Sequence, residues 1–110
     1  MEQEKDYSES AMTLIAYSGE ARTYAFQALT FAREKDMKQA NENIGKAEES
    51  LNHAHKAQTE LLVIEAKGDI IPVNVLLIHA QDHLMTSMLA LELVKELLVL
   101  YDVKEDKEER

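Results

Sequence analysis

Apolar residues recur at spacings of three and four along three long stretches of this chain, the pattern of amphipathic α-helices. The pattern predicts helices over residues 9–35, 37–67 and 71–100. Helix-breaking residues are rare, because the 110 residues include only three Gly and one Pro. Short links make consecutive helices antiparallel neighbours. The sequence therefore predicts an all-α fold, an antiparallel three-helix bundle.

The predicted helix ends coincide with residues that commonly begin or end helices. Ser8 or Ser10 can cap helix one, and Asp36 can cap helix two. Gly68 suits the position just after helix two, because it tolerates a left-handed backbone. A tight link to helix three is expected there. Pro72 then lies in the first turn of helix three, where proline is tolerated.

The composition narrows the possible functions. A chain of 110 residues is the size of one domain, here residues 1–110 with polar tails over 1–8 and 102–110. The net charge of −9 argues against sequence-independent nucleic-acid binding, which needs clustered Lys and Arg. No signal peptide is recognisable, and the polar residues of helix three argue against a membrane span. The absence of Cys excludes disulfides and suits a reducing compartment.

Helices one and two each carry a stripe with three-four spacing, and the small residues of the stripe on helix one let a neighbouring helix come close. On helix one the stripe is Ala11, Leu14, Ser18, Ala21, Ala25, Ala28 and Ala32. On helix two it is Met37, Ala40, Ile44, Ala47, Leu51, Ala54, Gln58 and Leu61. Arg22, on helix one, is interpreted as a solvated surface charge.

Helix three is apolar in almost every direction, as is typical of a helix buried on more than one side. Two partner helices cannot cover all of this surface, so the remainder should lie against other subunits. We therefore expect a homo-oligomer with helix three near its axis. One stripe with three-four spacing should face that axis: Val75, Ile78, Asp82, Met85 and Leu89.

Asp82 occupies a position of that stripe where an apolar residue is expected. A lone polar residue in such a stripe usually specifies register and oligomeric state. Copies of Asp82 brought together on an axis repel unless they are protonated or bridged by a cation. An oxygen-only site suits Mg²⁺ or another hard divalent ion. Alternatively, the Asp82 carboxylate bonds to His79 or His83 and no metal binds.

Four polar residues, His79, Asp82, His83 and Thr86, are spaced so that they share one face of helix three. Ionisable groups in so apolar a helix are costly unless they are paired, bound to metal or used in chemistry. A histidine-dependent catalyst, a metal-binding bundle and a non-catalytic trimeric helical adaptor are the classes that fit. A di-metal carboxylate bundle needs Glu-x-x-His pairs, and the sequence has none.

The most specific stretch is residues 76–86, Leu-Leu-Ile-His-Ala-Gln-Asp-His-Leu-Met-Thr. Together with residues 54–61 and 19–22, it closely resembles the enzyme IIA component of the lactose/cellobiose class of the bacterial sugar phosphotransferase system (PTS). The resemblance covers nearly the whole chain. It implies a cytoplasmic homotrimer, not inserted into the membrane, that accepts phosphate from the phosphohistidine of HPr. The phosphate then passes to a cysteine of the cognate IIB, for uptake of a disaccharide through the membrane IIC.

The resemblance also implies roles by position. His79 matches the phosphorylated histidine, and Asp82 matches the carboxylate that binds a divalent ion, Mg²⁺ or another, on the trimer axis. The disaccharide is selected by IIC, so lactose, cellobiose and chitobiose all remain possible.

The phosphate on His79 needs hydrogen-bond donors. His83, one turn along the same face, is the best donor within the subunit. Gln81 lies on the opposite side of the helix, from which it could serve a neighbouring subunit. His55 and Gln58 on helix two are further candidates, as is Thr86.

Overall fold

Three α-helices make up almost all of the structure, a computed structural model that describes the backbone of residues 6–109 and the side chains of residues 6–103. The helices are α1 (Ser8–Arg33), α2 (Met37–Ala66) and α3 (Val75–Glu109). No strand occurs among these residues. The predicted all-α fold is therefore confirmed.

Pairs of side chains show how the helices run. On α1, Tyr17 stacks on His53 of α2 with ring centroids 4.8 Å apart, and the later Tyr24 lies under the earlier Lys46. Between α2 and α3, Gln58 pairs with Gln81, and the earlier Glu48 lies 3.8 Å from the later Lys95. Both consecutive pairs of helices are therefore antiparallel, as predicted, and α1 runs parallel to α3. α2 and α3 contact each other far less than either contacts α1.

The predicted stripes of α1 and α2 lie in the core. All seven stripe residues of α1 are buried, and they are the buried residues of that helix. On α2, five of the eight stripe residues are buried and the other three are partly buried. The sequence interpretation missed two buried polar residues of α2, Asn43 and Ser50. Asn43 satisfies its side-chain amide locally, by donating to the carbonyl of Gln39 at 2.9 Å.

Both predicted residues at the ends of α2 are confirmed, whereas the predicted cap of α1 is wrong. Asp36 caps α2, since its carboxylate accepts from the backbone N–H of Gln39 at 3.1 Å. Gly68 follows α2 with a φ of 97°, a left-handed conformation that favours glycine. The prediction of a serine cap on α1 is wrong. Ser8 is the first helical residue, and the Asp6 carboxylate accepts its backbone N–H at 2.9 Å.

The start of α3 also differs from the prediction. The helix begins at Val75, and the link before it is not tight, because residues 67–74 are not helical. Proline disfavours a helical conformation in the residue before it, here Ile71, which is buried in the core instead. Asn74 caps the helix by accepting the backbone N–H of Leu77 at 2.8 Å. α3 continues past Leu100 to Glu109, through most of the predicted tail at 102–110.

α3 leaves a broad apolar surface uncovered in the single chain. We define its outward face as Val75, Ile78, Asp82, Met85 and Leu89, all of which are exposed. Further exposed apolar residues continue along α3: Leu93, Leu97, Val99, Leu100 and Val103. Despite this apolar surface, none of the described helices is long and apolar enough to cross a membrane.

Candidate functional site

The two histidines of α3 lie side by side near its N-terminal end. The ring of His83 meets that of His79 edge to face, with centroids 4.5 Å apart and an angle of 81° between the planes. His79 is exposed and His83 is partly buried. Ala80 and Leu84, on the inner side of the same turns, are fully buried and fix the helix against the core. His79 therefore presents its ring to solvent from a rigid support.

His83 is in a position that favours its neutral form. Burial is the main cause of a lowered pKa, and the adjacent His79 and Arg22 lower that pKa further, while Asp82 opposes the shift. Its Nδ1 atom is buried and has no hydrogen-bond partner among the described residues, and the same is true of the hydroxyl of Ser18 on α1. Since α1 and α3 run parallel and Arg22 contacts Thr86, Ser18 lies one turn earlier, at the level of His83.

Arg22 is not the solvated surface charge that the sequence suggested. It is partly buried, and its Nη2 donates to the hydroxyl of Thr86 at 2.9 Å and more weakly to that of buried Ser87 at 3.5 Å. Thr86 in turn donates to the backbone carbonyl of Asp82 at 2.8 Å. Sequence reasoning missed Arg22 and Ser87, because only the pairing of α1 with α3 brings them to the histidine face.

Gln81 lies on another side of α3 from His79. Two residues correspond to a rotation of about 200°, so Gln81 faces α2, where it accepts a hydrogen bond from the side chain of Gln58. His55, one turn before Gln58, is exposed, and no contact joins it to His79 among the described residues. Within one subunit the structure therefore brings together His79, His83 and Thr86, and it separates Gln81 from them.

Asp82 lies on the outward face and is exposed. No hydrogen bond or ion pair joins its carboxylate to His79 or His83 within residues 6–103, so the alternative with such a bond does not occur in the described side chains. Those side chains also include no group of three His, Asp or Glu that could share a metal ion. One subunit thus supplies a single carboxylate, and a metal site at Asp82 needs ligands from further copies.

The arrangement suits transfer of an anionic group to an imidazole. An exposed ring offers a nitrogen nucleophile, a neutral neighbouring ring can donate a hydrogen bond, and a guanidinium supplies positive charge one turn further along. Group transfer of phosphate depends mainly on such positioning and charge stabilisation.

Comparison with known proteins identifies a family and close relatives. Residues 9–102 match the family described as "PTS system, Lactose/Cellobiose specific IIA subunit". The lactose-specific EIIA component of Staphylococcus epidermidis is 43% identical over 88 residues, which are 80% of this chain and 85% of the relative. The N,N'-diacetylchitobiose-specific EIIA component of Escherichia coli is 42% identical over 98 residues, 89% of this chain and 84% of the relative.

Two solved structures have the same fold. The crystal structure of the PTS cellobiose-specific enzyme IIA from Bacillus anthracis has a TM-score of 0.90 and 43% identity, and covers 96% of each chain. The IIA(chitobiose) chain of the Escherichia coli IIA(chitobiose)–HPr complex has a TM-score of 0.77 and 39% identity, and covers 93% of this chain and 99% of that one.

Proposed function

Because the chain belongs to the family of lactose/cellobiose-specific IIA subunits of the phosphotransferase system, we propose that His79 is the residue that carries its phosphoryl group. Members of this family are phosphocarrier proteins that take phosphate from HPr. The observation that carries the choice of His79 is its exposure: of the paired histidines on α3, it is the one whose ring is open to a partner protein.

The transfer is a substitution at phosphorus. A neutral nitrogen of His79 forms a bond to phosphorus as the bond from phosphorus to the histidine of HPr breaks. The departing nitrogen keeps the electron pair of the broken bond, and the other ring nitrogen of His79 keeps its proton. In the second transfer, the thiolate of a IIB cysteine forms a bond to phosphorus as the bond from phosphorus to His79 breaks, and the His79 nitrogen keeps the electron pair. His83 supports both steps by donating a hydrogen bond to a phosphoryl oxygen.

Gln81 contributes to a different phosphoryl group. It cannot reach His79 of its own subunit, because the two side chains leave α3 on nearly opposite sides. Gln81 pairs with Gln58 of α2, but its helix neighbours Ile78 and Met85 belong to the outward face. In a homotrimer with α3 near the axis, Gln81 therefore lies at the edge of the contact with a neighbouring subunit, where it serves that subunit's His79.

The partners follow from the family. HPr supplies the phosphate, and the cognate IIB receives it for the membrane component IIC. The E. coli relative in complex with HPr supports the first contact. The chain's charge of −9 would raise the rate of encounter with a basic partner surface. The sugar belongs to the lactose, cellobiose and chitobiose class, and the protein works in the cytoplasm.

The outward face of α3 supports a homotrimer. Its four apolar residues and the exposed apolar side chains that follow them are continuous along the helix, and a surface of this kind is normally covered by another chain. Three copies of Asp82 would then meet on the axis. Their carboxylate oxygens suit Mg²⁺ or another hard divalent ion, whose charge would offset their repulsion. The ion is structural and takes no part in the transfer.

Intact mass tests the assignment. The protein is incubated with phosphoenolpyruvate, enzyme I and HPr, and the wild type should gain one phosphoryl group that is lost in acid and stable in base. His79→Ala should gain none. His53→Ala is the matched control, because His53 is an exposed histidine of α2 that stacks on Tyr17, and it should be labelled like the wild type.

The outcomes separate the candidate functions. Label that persists in His79→Ala moves the carrier to another residue. A wild type that takes no phosphate favours the non-catalytic trimeric adaptor or the metal-binding bundle. In that case the removal of His79 should also leave assembly and stability unchanged.

A further inference from the structure

Arg22 is a cation without an anionic partner in the described part of the molecule. Its guanidinium donates only to the hydroxyls of Thr86 and Ser87, and no carboxylate of residues 6–103 forms an ion pair with it. An arginine fork matches the oxygens of a carboxylate or a phosphate. The chain has 21 Asp and Glu against 12 Lys and Arg, so a partly buried arginine that pairs with none of the carboxylates of residues 6–103 indicates a place for another anion.

The parallel packing of α1 and α3 directs Arg22 toward the histidines. Side chains on a helix lean toward its N-terminus, so Arg22 leans toward the end of α3 at which His83 and His79 lie. His83 lies three residues before Thr86 and His79 lies seven residues before it, which correspond to about 4.5 Å and about 10.5 Å along the axis. The positive charge of Arg22 also reaches His83, whose pKa it helps to lower.

Thr86 holds the guanidinium by one nitrogen and leaves the rest free. The Thr86 hydroxyl donates its hydrogen to the carbonyl of Asp82 at 2.8 Å, so it meets Arg22 as an acceptor. Only Nη2 of Arg22 takes part in the two contacts. The N–H groups on Nη1 and Nε have no acceptor among the described residues. They are available to an oxyanion near His83.

We infer that Arg22 binds the phosphoryl group carried by His79. This inference rests on the proposed function of His79. Arg22 forms no covalent bond and keeps all its protons, while the bonds at phosphorus form and break between the two histidines. Its charge is shared among the phosphoryl oxygens, which stabilises both the transfer and the stored phosphohistidine. When no phosphoryl group is present, the guanidinium binds to the hydroxyl of Thr86.

Rates and a spectroscopic signal test this role. Arg22→Gln should accept phosphate from phosphorylated HPr about tenfold or more slowly, since a charge-assisted hydrogen bond is lost. The ³¹P resonance of the phosphohistidine should titrate about one pH unit higher than in the wild type, because a nearby cation favours the dianion. Arg33→Gln is the matched control: it removes the same charge from an exposed position in the last turn of α1, and both values should stay at the wild-type level.

A measurement on the wild type covers the case in which Arg22→Gln does not fold. The Nε–H resonance of Arg22 in ¹⁵N spectra should shift when His79 is phosphorylated and should return when the phosphate is removed. An unshifted resonance, or an Arg22→Gln protein that matches Arg33→Gln in rate and in ³¹P titration, overturns the inference. These results leave the proposed carrier role of His79 standing as long as His79→Ala remains unlabelled. A wild type that takes no phosphate overturns both.

Discussion

Two faces of α3 are almost equally apolar in sequence and differ completely in their surroundings. The inward face is buried against the other two helices and consists of Ala80, Leu84, Ser87, Leu91, Val94 and Leu98. The outward face, with Ile78 and Met85 each 57% exposed, is not covered by any of residues 6–103. The inward face holds the subunit together. The outward face has the apolar composition of a surface that another chain normally covers.

The residues that we assign to the phosphoryl site lie along the boundary between these faces. His83 and Ser87 belong to the side of α3 that faces α1, Asp82 belongs to the outward face, and His79 and Thr86 lie between them. A phosphoryl group on His79 would therefore be surrounded partly by its own subunit and partly by whatever covers the outward face. This position explains why some of the expected donors lie around His79 in a single chain, whereas Gln81 lies away from it.

A charge on the outward face should have the largest effect. Met85→Glu should prevent formation of the proposed trimer and give a monomer, because three buried carboxylates would be added near the axis. Its helix content should be kept, since Met85 makes no contribution to the core of the single chain. Sedimentation velocity and circular dichroism measure the two properties. Gln27→Glu, an exposed position on α1, is the charge-matched control.

Leu84→Ala completes this comparison on the inward face. Leu84 is fully buried, so its truncation should reduce the free energy of unfolding by about 2–5 kcal/mol. The trimer should persist below the melting temperature. A Met85→Glu protein that remains trimeric, or a Leu84→Ala protein that dissociates without losing stability, would reverse the roles that we assign to the two faces.

At the boundary, His83→Ala should slow phosphorylation about tenfold, the effect of one hydrogen bond to a charged group, while the label stays on His79. Gln81→Ala should have a similar effect, but through the neighbouring subunit. Mixed trimers test the difference. In trimers that contain both Gln81→Ala and His79→Ala subunits, a Gln81→Ala subunit keeps its own His79 and can have a neighbour that supplies Gln81. These His79 sites should recover part of the wild-type rate in stopped-flow transfer from phospho-HPr. Recovery that is absent from mixed trimers would place the action of Gln81 within its own subunit.

The comparison also shows which features a sequence reveals. The stripe on α1 could be predicted residue by residue, because alanines at three-four spacing have one possible use, the close approach of two helices. The Asp36 cap and Gly68 are local signals that need no tertiary information. The sequence misplaces the beginning of α3, because Pro72 fits the first turn of a helix, whereas Asn74, two residues later, is the cap.

The site was only partly predictable for a related reason. His79, Asp82, His83 and Thr86 share one face by helical geometry alone, so the sequence is sufficient to group them. Arg22 lies 64 residues from Thr86 in the chain, and its place depends on the register between α1 and α3. The spacing of residues within one helix does not specify how that helix is aligned with another. Gln58 and Gln81 are likewise brought together only by the pairing of α2 with α3.

On the outward face, Asp82→Leu should have a smaller effect than Met85→Glu and in the opposite direction. Leucine removes the repulsion among the three carboxylates and completes the apolar stripe, and replacement of buried charges by packed apolar residues is often neutral or stabilising. The variant should remain trimeric, ignore EDTA and melt no lower than the metal-bound wild type. Asp82→Asn should be intermediate between the wild type and Asp82→Leu in these properties, because it removes the charge but leaves a buried amide without partners.

Thermal melting and sedimentation, each with and without EDTA, measure these differences at one fixed protein concentration. A wild type that does not respond to EDTA, together with a monomeric Asp82→Leu, would mean that Asp82 makes an essential contact between proteins and holds no axial ion.

The smallest effect should come from protonation of His83, the group at which the two faces meet. Its pKa in the folded protein is lowered from 6.5, first by burial and then by His79 and Arg22, with Asp82 in opposition. As the pH falls through 6.5, the unfolded chain binds a proton that the folded chain does not, so the free energy of unfolding decreases until the pH reaches the folded pKa. Above pH 6.5 His83 contributes no pH dependence to the free energy of unfolding.

Urea unfolding from pH 7.5 down to pH 5 should therefore show a larger loss of stability for the wild type than for His83→Gln. His53→Gln, an exposed control, should follow the wild type. Equal slopes for the wild type and His83→Gln would mean that His83 is as easily protonated in the folded protein as in the unfolded chain, and that the inward side of the boundary is open to water.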